Sequence, residues 1–249
     1  MSREIKTTRN YEQFTLLDGN RKINHLKVEK LKKSMMNNYV PAPIIVNNKN
    51  EIIDGQHRFE AIKSLNLALY YCSIGRIGIE ETRVLNMNGV PWKNKEHLHS
   101  YMTKEKKEYP DYYQGRPYHQ FHYIQTAYKI HFQVIMTLIH DSPYLSRHGE
   151  LFKEGKLRIH NFAKLENDAK FINSMKDYHK KWRNRFFQNA MSTIMSQSEF
   201  NRERWMRKMS MRHAKLLRNT TKTDYINNME EVYNWQERVK VTFNRQING

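Results

Sequence analysis

The chain has 249 residues, which is enough for one large domain or two small ones with a hydrophobic core. Its 43 lysines and arginines exceed its 25 acidic residues, and the net charge of +18 is typical of a nucleic-acid-binding protein. A mean hydropathy of −0.89, with no apolar run near the roughly 20 residues that span a bilayer, argues against a membrane protein.

The first elements follow strand and helix patterns. Residues 1–10 are polar and predict a flexible arm or an edge strand, and residues 11–17 predict a strand that ends at an Asp-Gly-Asn turn. Asn24 is a suitable N-cap for the helix that follows, in which apolar residues recur with helical spacing. The other face of this helix is basic, and such a face is either solvated or adds to a phosphate-binding surface: Lys27, Lys30, Lys32 and Lys33.

Two short strands, 44–46 and 51–53, come next, joined by a tight Asn-rich connection. A helix is predicted from Gln56, then a strand over 68–74 and a short helix over 79–86. This part of the chain therefore predicts a small domain in which strands and helices alternate.

Pro91 breaks the helical pattern and marks a domain boundary between residues 90 and 91. Beyond it, helical periodicity dominates, over residues 94–108, 117–140, 161–179, 181–197, 199–218 and 223–237. The sequence therefore predicts an α+β fold, with a mixed-sheet domain over 1–90 and a basic all-helical domain over 91–249.

The turn from the second short strand into the following helix holds the most informative residues. A strand that runs through Gly55 into a helix leaves free backbone N–H groups, which attract phosphate. His57 and Arg58 stand in the first helical turn, where the helix dipole disfavours positive charge, and a phosphate between them would explain their presence. In the alternative interpretation, Arg58 pairs with Asp54 or Glu60 and His57 only packs.

The stretch Asp54-Gly55-Gln56-His57-Arg58-Phe59-Glu60-Ala61 resembles the signature of the ParB/sulfiredoxin-like superfamily. The upstream segments Asn20-Arg21-Lys22-Ile23-Asn24 and Pro43-Ile44-Ile45-Val46 resemble the elements that precede this motif, and the similarity covers roughly residues 10–90. The superfamily includes CTP-hydrolysing DNA clamps, sulfiredoxin, free-serine kinases, and DNA-nicking or NTP-hydrolysing proteins of mobile elements and phage defence. Its fold therefore does not determine the function.

In the resembled family the Gly-x-x-Arg turn binds nucleotide phosphates, and an Asn-Arg segment faces it. The resemblance implies a nucleoside triphosphate, ATP, GTP or CTP, bound by Arg21, Gly55, Gln56, His57 and Arg58. Gly55 is expected to let a phosphate approach the backbone because it has no Cβ. The candidate catalytic groups are Asp54, Glu60 and His57, and either acid could bind Mg²⁺ or act as a general base.

This chain departs from two branches of the superfamily. Gln56 stands where sulfiredoxin requires a cysteine, so a thiol-based reductase is not expected. The clamp proteins carry a Gly-Glu-Arg-Arg type of turn where this chain reads Gly-Gln-His-Arg. A preference for CTP therefore does not follow, and ATP or GTP is an equally good candidate for the bound nucleotide.

The segment from Lys176 to Arg218 holds twelve basic and three acidic residues, interleaved with aromatic residues. The helical spacing of the aromatic residues predicts that they are mostly core, whereas the basic side chains are expected to contact DNA phosphates. The candidate nucleic-acid contacts are Lys180, Lys181, Arg183, Arg185, Arg204, Arg207, Lys208 and Arg212. No HExxH or Cys/His cluster occurs, so no dedicated metal site is predicted.

The first hypothesis is a cytoplasmic ParB-like protein of a phage or mobile element that binds a nucleotide and DNA, and that hydrolyses the nucleotide or nicks DNA. The lack of an apolar leader and the single cysteine, Cys72, favour the cytoplasm. The alternative is a non-catalytic interaction protein, whose ParB-like fold is a scaffold for binding DNA or an acidic host protein. Either form is compatible with a homodimer.

Overall fold

The computed structural model describes residues 4–79, 81–82, 92–140 and 145–243. The chain divides into two compact units, Met1–Asp111 and Tyr112–Gly249. The first unit contains a five-stranded mixed sheet with helices, and the described part of the second is helical, which confirms the predicted α+β class.

The sheet of the first unit has the strand order β1-β5-β3-β4-β2. Parallel pairing joins β3 to β5 and β2 to β4, and antiparallel pairing joins β1 to β5 and β3 to β4. β1 forms one edge, in agreement with the predicted edge strand, while the predicted strand over 11–17 is shorter because Tyr11–Gln13 forms a 3-10 helix. The strands are β1 (Ile5–Thr8), β2 (Thr15–Leu16), β3 (Ile44–Val46), β4 (Glu51–Asp54) and β5 (Leu69–Ser73).

Two helices, α1 (His25–Asn37) and α2 (Gln56–Ser64), accompany the sheet. The predicted N-cap is confirmed, since the Asn24 side chain accepts a hydrogen bond from the Lys27 N–H. Phe59 of α2 is buried and meets the Phe14 ring edge-on, with ring centroids 6.0 Å apart. The apolar face of α2 is therefore part of the core that includes the central strands.

The turn between β4 and α2 depends on Gly55, which has a φ of +92°. A Cβ at this position would lie 2.8 Å from the Cγ2 atom of Ile44, which is closer than carbon atoms can approach. The missing Cβ therefore lets the turn pack on β3, a reason different from the phosphate approach expected from the sequence.

The division between the units follows α3 (Asn94–Glu108), which belongs to the first unit. Its Glu96 carboxylate lies 3.9 Å from Arg21 Nε, and a Cβ on Gly19 would lie 3.2 Å from Ser100 Oγ. The helical pattern indicates where α3 begins, but only these contacts show which unit it joins. The predicted boundary between residues 90 and 91 and most of the predicted helix over 79–86 lie outside the described residues.

The described part of the second unit is built from α-helices and short 3-10 helices. None of the helices in the described ranges is long and apolar enough to cross a membrane. They are α4 (Pro117–Ala127), α5 (Phe132–His140), α6 (Leu145–Lys153), α7 (Phe162–Ser174), α8 (Arg185–Met195), α9 (Arg202–Arg212) and α10 (Lys222–Asn234).

The prediction of one helix over 117–140 is wrong, because the chain breaks between α4 and α5. Lys129 has a φ of +56°, which a continuing right-handed helix does not allow. The buried Gln188 side chain stabilises the break: its amide nitrogen donates to the Lys129 carbonyl, and its oxygen accepts from the His131 N–H. A distant glutamine is thus the partner of these backbone groups, and no local pattern indicates it.

The predicted helices over 181–197 and 199–218 are shorter than expected, because asparagine side chains cap their starts. Asn184 accepts from the N–H groups of Phe186 and Phe187, and Asn201 accepts from the Arg204 N–H. The prediction that the aromatic residues of 176–218 are mostly core is confirmed for half of them: Trp182, Phe187 and Trp205 are buried, whereas Tyr178, Phe186 and Phe200 are half-buried.

We expect Gly55→Ala to destabilise the first unit more than Gly75→Ala. Gly75 has nearly the same φ, +88°, but no atom lies within 4 Å of the position that a Cβ would take there. Both substitutions carry the left-handed penalty of about 1 to 2 kcal/mol, and only Gly55→Ala adds the clash with Ile44, about 1 to 3 kcal/mol more. Urea unfolding measures both, and equal losses would show that the packing on Ile44 contributes nothing.

Candidate functional site

The first unit contains a cleft of about 540 Å³ beside the turn between β4 and α2. Its walls are the segment Asn20–Arg21, one face of α1, the end of β4 and the first turn of α2. The cleft brings together the residues predicted to bind a nucleotide: Arg21, Gly55, Gln56, His57 and Arg58.

Basic side chains dominate the lining of the cleft. Arg21, Lys27, Lys30 and Arg58 contribute positive charge, and Asp54 is the one acidic residue that lines it within the described part of the chain. In the sequence, Lys27 and Lys30 stood among four lysines of one basic face. The structure separates them, because these two lie one helical turn apart on the side of α1 that faces the cleft.

The first turn of α2 adds a backbone contribution. Its N-cap is Gly55, which has no side chain to cap the helix, and the turn contains no acidic residue. The N–H groups at the start of a helix carry partial positive charge, and an anion in the cleft can accept hydrogen bonds from them. The cleft therefore combines cationic side chains with a helix N-terminus.

Two side chains of the turn hold the facing segment in place. Gln56 is buried, and its Nε2 donates to the Arg21 carbonyl over 2.7 Å. The backbone N–H of Asn24 donates to His57 Nε2 over 3.0 Å. The predicted ligand-binding residues Gln56 and His57 thus also fix the geometry of the segment opposite them.

The environment of His57 favours the neutral form of its imidazole. Burial lowers its pKa, and the nearby charges of Lys27 and Arg21 lower it further, against a smaller opposite effect of Glu96. Because Nε2 accepts a hydrogen bond, the ring proton of the neutral imidazole lies on Nδ1. His57 can therefore donate one hydrogen bond to a ligand, while its lone pair is already in use.

Arg58 makes no ion pair with Asp54, Glu60 or any other acid among the described residues. Its Nη1 donates instead to the Pro43 carbonyl over 2.7 Å and to the Ala42 carbonyl over 3.5 Å. Carbonyl groups orient the guanidinium without neutralising it, so the charge of Arg58 remains available to an anion.

Arg21 is held differently, by a carboxylate and an aromatic ring. Its Nε lies 3.9 Å from Glu96, and its guanidinium carbon lies 5.9 Å from the centre of the Trp92 ring. Glu96 compensates part of its charge, and the side chain is mostly buried. Arg21 is therefore positioned in the wall of the cleft with little freedom.

The structure separates the two candidate acids. Asp54 is exposed at the end of β4 and lines the cleft, whereas Glu60 is half-buried on α2 and is not among the lining residues. In the described ranges, no group of three His, Cys, Asp or Glu side chains is placed to hold a metal ion. Of the two candidate acids, Asp54 is thus the one placed to bind a metal ion or to act as a general base in the cleft.

The basic residues predicted to bind DNA fall into two groups in the second unit. The first group is exposed, between the 3-10 helix Met175–Asp177 and the start of α8: Lys180, Lys181, Arg183 and Arg185. We call residues 176–185 the basic segment. Its exposed cations are available to a polyanion.

The second group contacts the chain that follows α10. Glu237 lies 2.7 Å from Lys208 Nζ, 3.4 Å from Arg207 and 3.7 Å from Arg204, and the hydrogen bond from Lys208, with these nearby charges, lowers the pKa of Glu237. Arg212 stacks on the Trp235 ring at 4.5 Å.

Lys208, which is predicted to contact DNA, is buried in the structure. Its side chain is only 4% exposed, because it donates to the Trp235 carbonyl and pairs with Glu237. Desolvating a lysine requires such partners, so the charge of Lys208 is already paired inside the protein.

No family model matches the chain, and no curated protein or solved structure is significantly similar to it. The assignment of a function therefore depends on the residues of the cleft and of the basic segment.

We expect Gln56→Met to loosen the segment opposite α2. Methionine preserves the buried volume but removes the hydrogen bond to the Arg21 carbonyl, and one such bond stabilises by about 1 kcal/mol. Hydrogen exchange at the backbone amide of Asn24, which donates to His57, should accelerate about 5-fold or more.

The matched control is Gln13→Met, which removes hydrogen bonds of the same kind to Thr8 and Asn10, away from the cleft. Unchanged exchange at Asn24 in Gln56→Met would show that the glutamine does not hold the segment.

Proposed function

We propose that the protein is a ParB/sulfiredoxin-like nucleotide- and DNA-binding protein, which binds a nucleoside triphosphate in the cleft and DNA through its second unit. The observation that carries the proposal is the meeting of four basic side chains and an uncapped helix start around a single carboxylate. The motif Asp54–Ala61, by its resemblance to the superfamily, adds the expectation that the anion is a nucleotide.

The charge of the cleft favours a polyphosphate over a single phosphate. Lys27, Lys30 and Arg58 line it without an acidic partner among the described residues, and Arg21 adds a partly compensated charge. An ionised triphosphate group carries more negative charge than a single phosphate, and such a set, together with a metal ion, can balance it. The backbone N–H groups of α2 would meet the phosphate nearest to Gly55.

Asp54 is the residue that fits Mg²⁺ in this proposal. Magnesium in nucleotide sites is usually bound by one or two carboxylates together with phosphate oxygens and water. The exposed carboxylate of Asp54 at the rim of the cleft satisfies this requirement. If the nucleotide is hydrolysed, the same carboxylate is the candidate to orient the attacking water, because the lone pair of His57 is occupied.

The basic segment supports the proposed DNA binding. Its lysines and arginines are exposed, and Lys180, Lys181 and Arg183 lie between the 3-10 helix and α8. DNA affinity rests largely on such cations because each phosphate contact releases counterions. Arg204 and Lys208, in contrast, are held by Glu237 and are assigned to the fold.

The nucleotide proposal is tested by calorimetric titration of ATP, GTP and CTP with Mg²⁺. We expect the wild type to bind at least one of them, and Arg58→Ala and Lys27→Ala/Lys30→Ala to weaken binding about 10-fold or more, because each removes charged hydrogen-bond donors.

The control variant is Lys32→Ala/Lys33→Ala, which removes the same charge from α1 at positions that do not line the cleft. An equal loss of nucleotide affinity in both double variants would show that the effect depends on net charge alone. No nucleotide binding by the folded wild type would refute the nucleotide site.

The DNA proposal is tested by fluorescence anisotropy with duplex DNA at several salt concentrations. We expect Lys180→Ala/Lys181→Ala/Arg183→Ala to weaken binding and to lower the slope of log affinity against log salt by about 0.9 for each lost phosphate contact. Lys153→Ala/Lys156→Ala/Arg158→Ala removes the same charge elsewhere on the unit, and an equal slope change there would contradict the assignment.

One observation favours the alternative of a non-catalytic scaffold. Gln56, His57 and Arg58 each use a polar atom in hydrogen bonds that hold the fold together. In this alternative the protein binds DNA with steep salt dependence, or binds an acidic protein, and has no affinity for nucleotides. Gln56, His57 and Arg58 would then serve to hold the fold together.

A further inference from the structure

A second cavity, in the helical unit, has chemistry unlike that of the cleft. It has a volume of about 400 Å³ and lies beside α4, the first turns of α7 and the 3-10 helix Tyr113–Gly115. Aromatic, amide and imidazole side chains form its walls, and Glu166 is the one acidic residue that lines it in the described part of the chain. We call this cavity the aromatic pocket.

The charge of Glu166 is already satisfied inside the protein. Its Oε1 accepts hydrogen bonds from Tyr123 over 3.1 Å and from Tyr128 over 2.8 Å, and its Oε2 lies 3.3 Å from Lys170 Nζ. The hydrogen bond from Tyr128, followed by Lys170 and Tyr123, lowers the pKa of Glu166. Glu166 therefore orients two tyrosines and is not left to attract a cation.

The imidazole of His122 is one of the walls of the pocket. Its Nδ1 is buried out of reach of solvent and makes no hydrogen bond to any described residue. Burial lowers the pKa of His122, and His119 lowers it further, so the ring is neutral at neutral pH. A buried polar atom without a partner costs free energy unless a ligand or water satisfies it.

The pocket also offers aromatic ring surface. The rings of Tyr123 and Phe162 are inclined at 53° with centroids 6.2 Å apart, and Tyr123 is 44% exposed. The amide groups of Gln114 and Gln120 can each donate and accept hydrogen bonds. A planar, uncharged heterocycle with donors and acceptors on its edge matches this combination, whereas a phosphate does not.

We infer that the aromatic pocket binds a nucleobase, stacked against Tyr123 and hydrogen-bonded by the glutamine amides. Base–aromatic stacking tolerates all four bases because each has a π face. The shared chemistry is the base itself, which could belong to single-stranded DNA or to a free nucleoside.

The position of α7 favours single-stranded DNA, an assignment that rests on the proposed DNA binding. α7 begins at the pocket with Phe162 and leads directly into the basic segment. Glu166 and Lys176 are ten positions apart, which corresponds to about 15 Å along a helix. A strand whose phosphates contact the basic segment can therefore reach the pocket with a base a few nucleotides away.

The test compares a fluorescent thymidine oligonucleotide of about 12 nucleotides with the same backbone carrying abasic residues at its centre. We expect the full chain to bind the abasic strand about 5- to 150-fold more weakly, the range for the loss of a stacked base. Tyr123→Ala should abolish this difference, whereas Tyr123→Phe, which retains the ring, should preserve most of it.

Tyr112→Ala is the matched control, because Tyr112 is 58% exposed in the same unit and does not line the pocket. Thermal unfolding of each variant identifies any loss of the fold, and Gln120→Ala is a second pocket variant if Tyr123→Ala does not fold. Equal affinity for both strands in the wild type, or equal effects of Tyr123→Ala and Tyr112→Ala, would overturn the inference for single-stranded DNA.

In a second experiment, saturation-transfer NMR measures the binding of free thymidine and adenosine to the wild type and to Tyr123→Ala. Nucleoside binding that Tyr123→Ala removes, in a protein that binds no DNA, would identify a free nucleoside as the source of the base and would refute only the proposed DNA binding. No binding of nucleosides together with no effect of base removal would refute the pocket, while the salt-dependent test of the basic segment would stand.

Discussion

The contact of Gly55 with Ile44 is the constraint on which the first unit depends. The positive φ of Gly55 turns the chain from β4 into α2, and the absence of a Cβ lets this turn rest directly on β3. Because the turn is held there, the first N–H groups of α2 open toward the cleft, and Phe59 on the same helix enters the core. One glycine thus connects the packing of the sheet to the orientation of the anion-binding groups.

Around this turn, the same side chains support the fold and remain available to a ligand. Gln56 and His57 fix the segment that carries Arg21, and Arg58 is oriented by carbonyl groups that leave its charge uncompensated. The ring proton of His57 on Nδ1 is also left to a ligand. A site whose groups are positioned in advance loses less entropy when an anion binds, which reconciles the structural hydrogen bonds with the proposed function.

The second unit distributes its positive charge unevenly. Glu237 gathers Arg204, Arg207 and Lys208, and this ion-pair cluster joins α9 to the chain that follows α10. The basic segment is exposed instead, and the aromatic pocket has little net charge because Lys170 balances Glu166. A net charge of +18 therefore describes several different environments, and the basic segment is one whose exposed side chains suit contact with phosphates.

The sequence by itself determined the α+β class, the strands predicted at 44–46 and 51–53 and the start of α1 at its Asn24 cap, because these follow from local periodicity and local hydrogen bonds. It also indicated the turn at Gly55, since few residues accept that conformation. Only the tertiary structure decided that Gln188 interrupts the helix predicted over 117–140, that Glu237 buries Lys208, and that Lys27 and Lys30, but not Lys32 and Lys33, face the cleft. Each of these outcomes depends on groups far apart in the chain, and a pattern that repeats over a few residues contains no information about which distant partner will meet it.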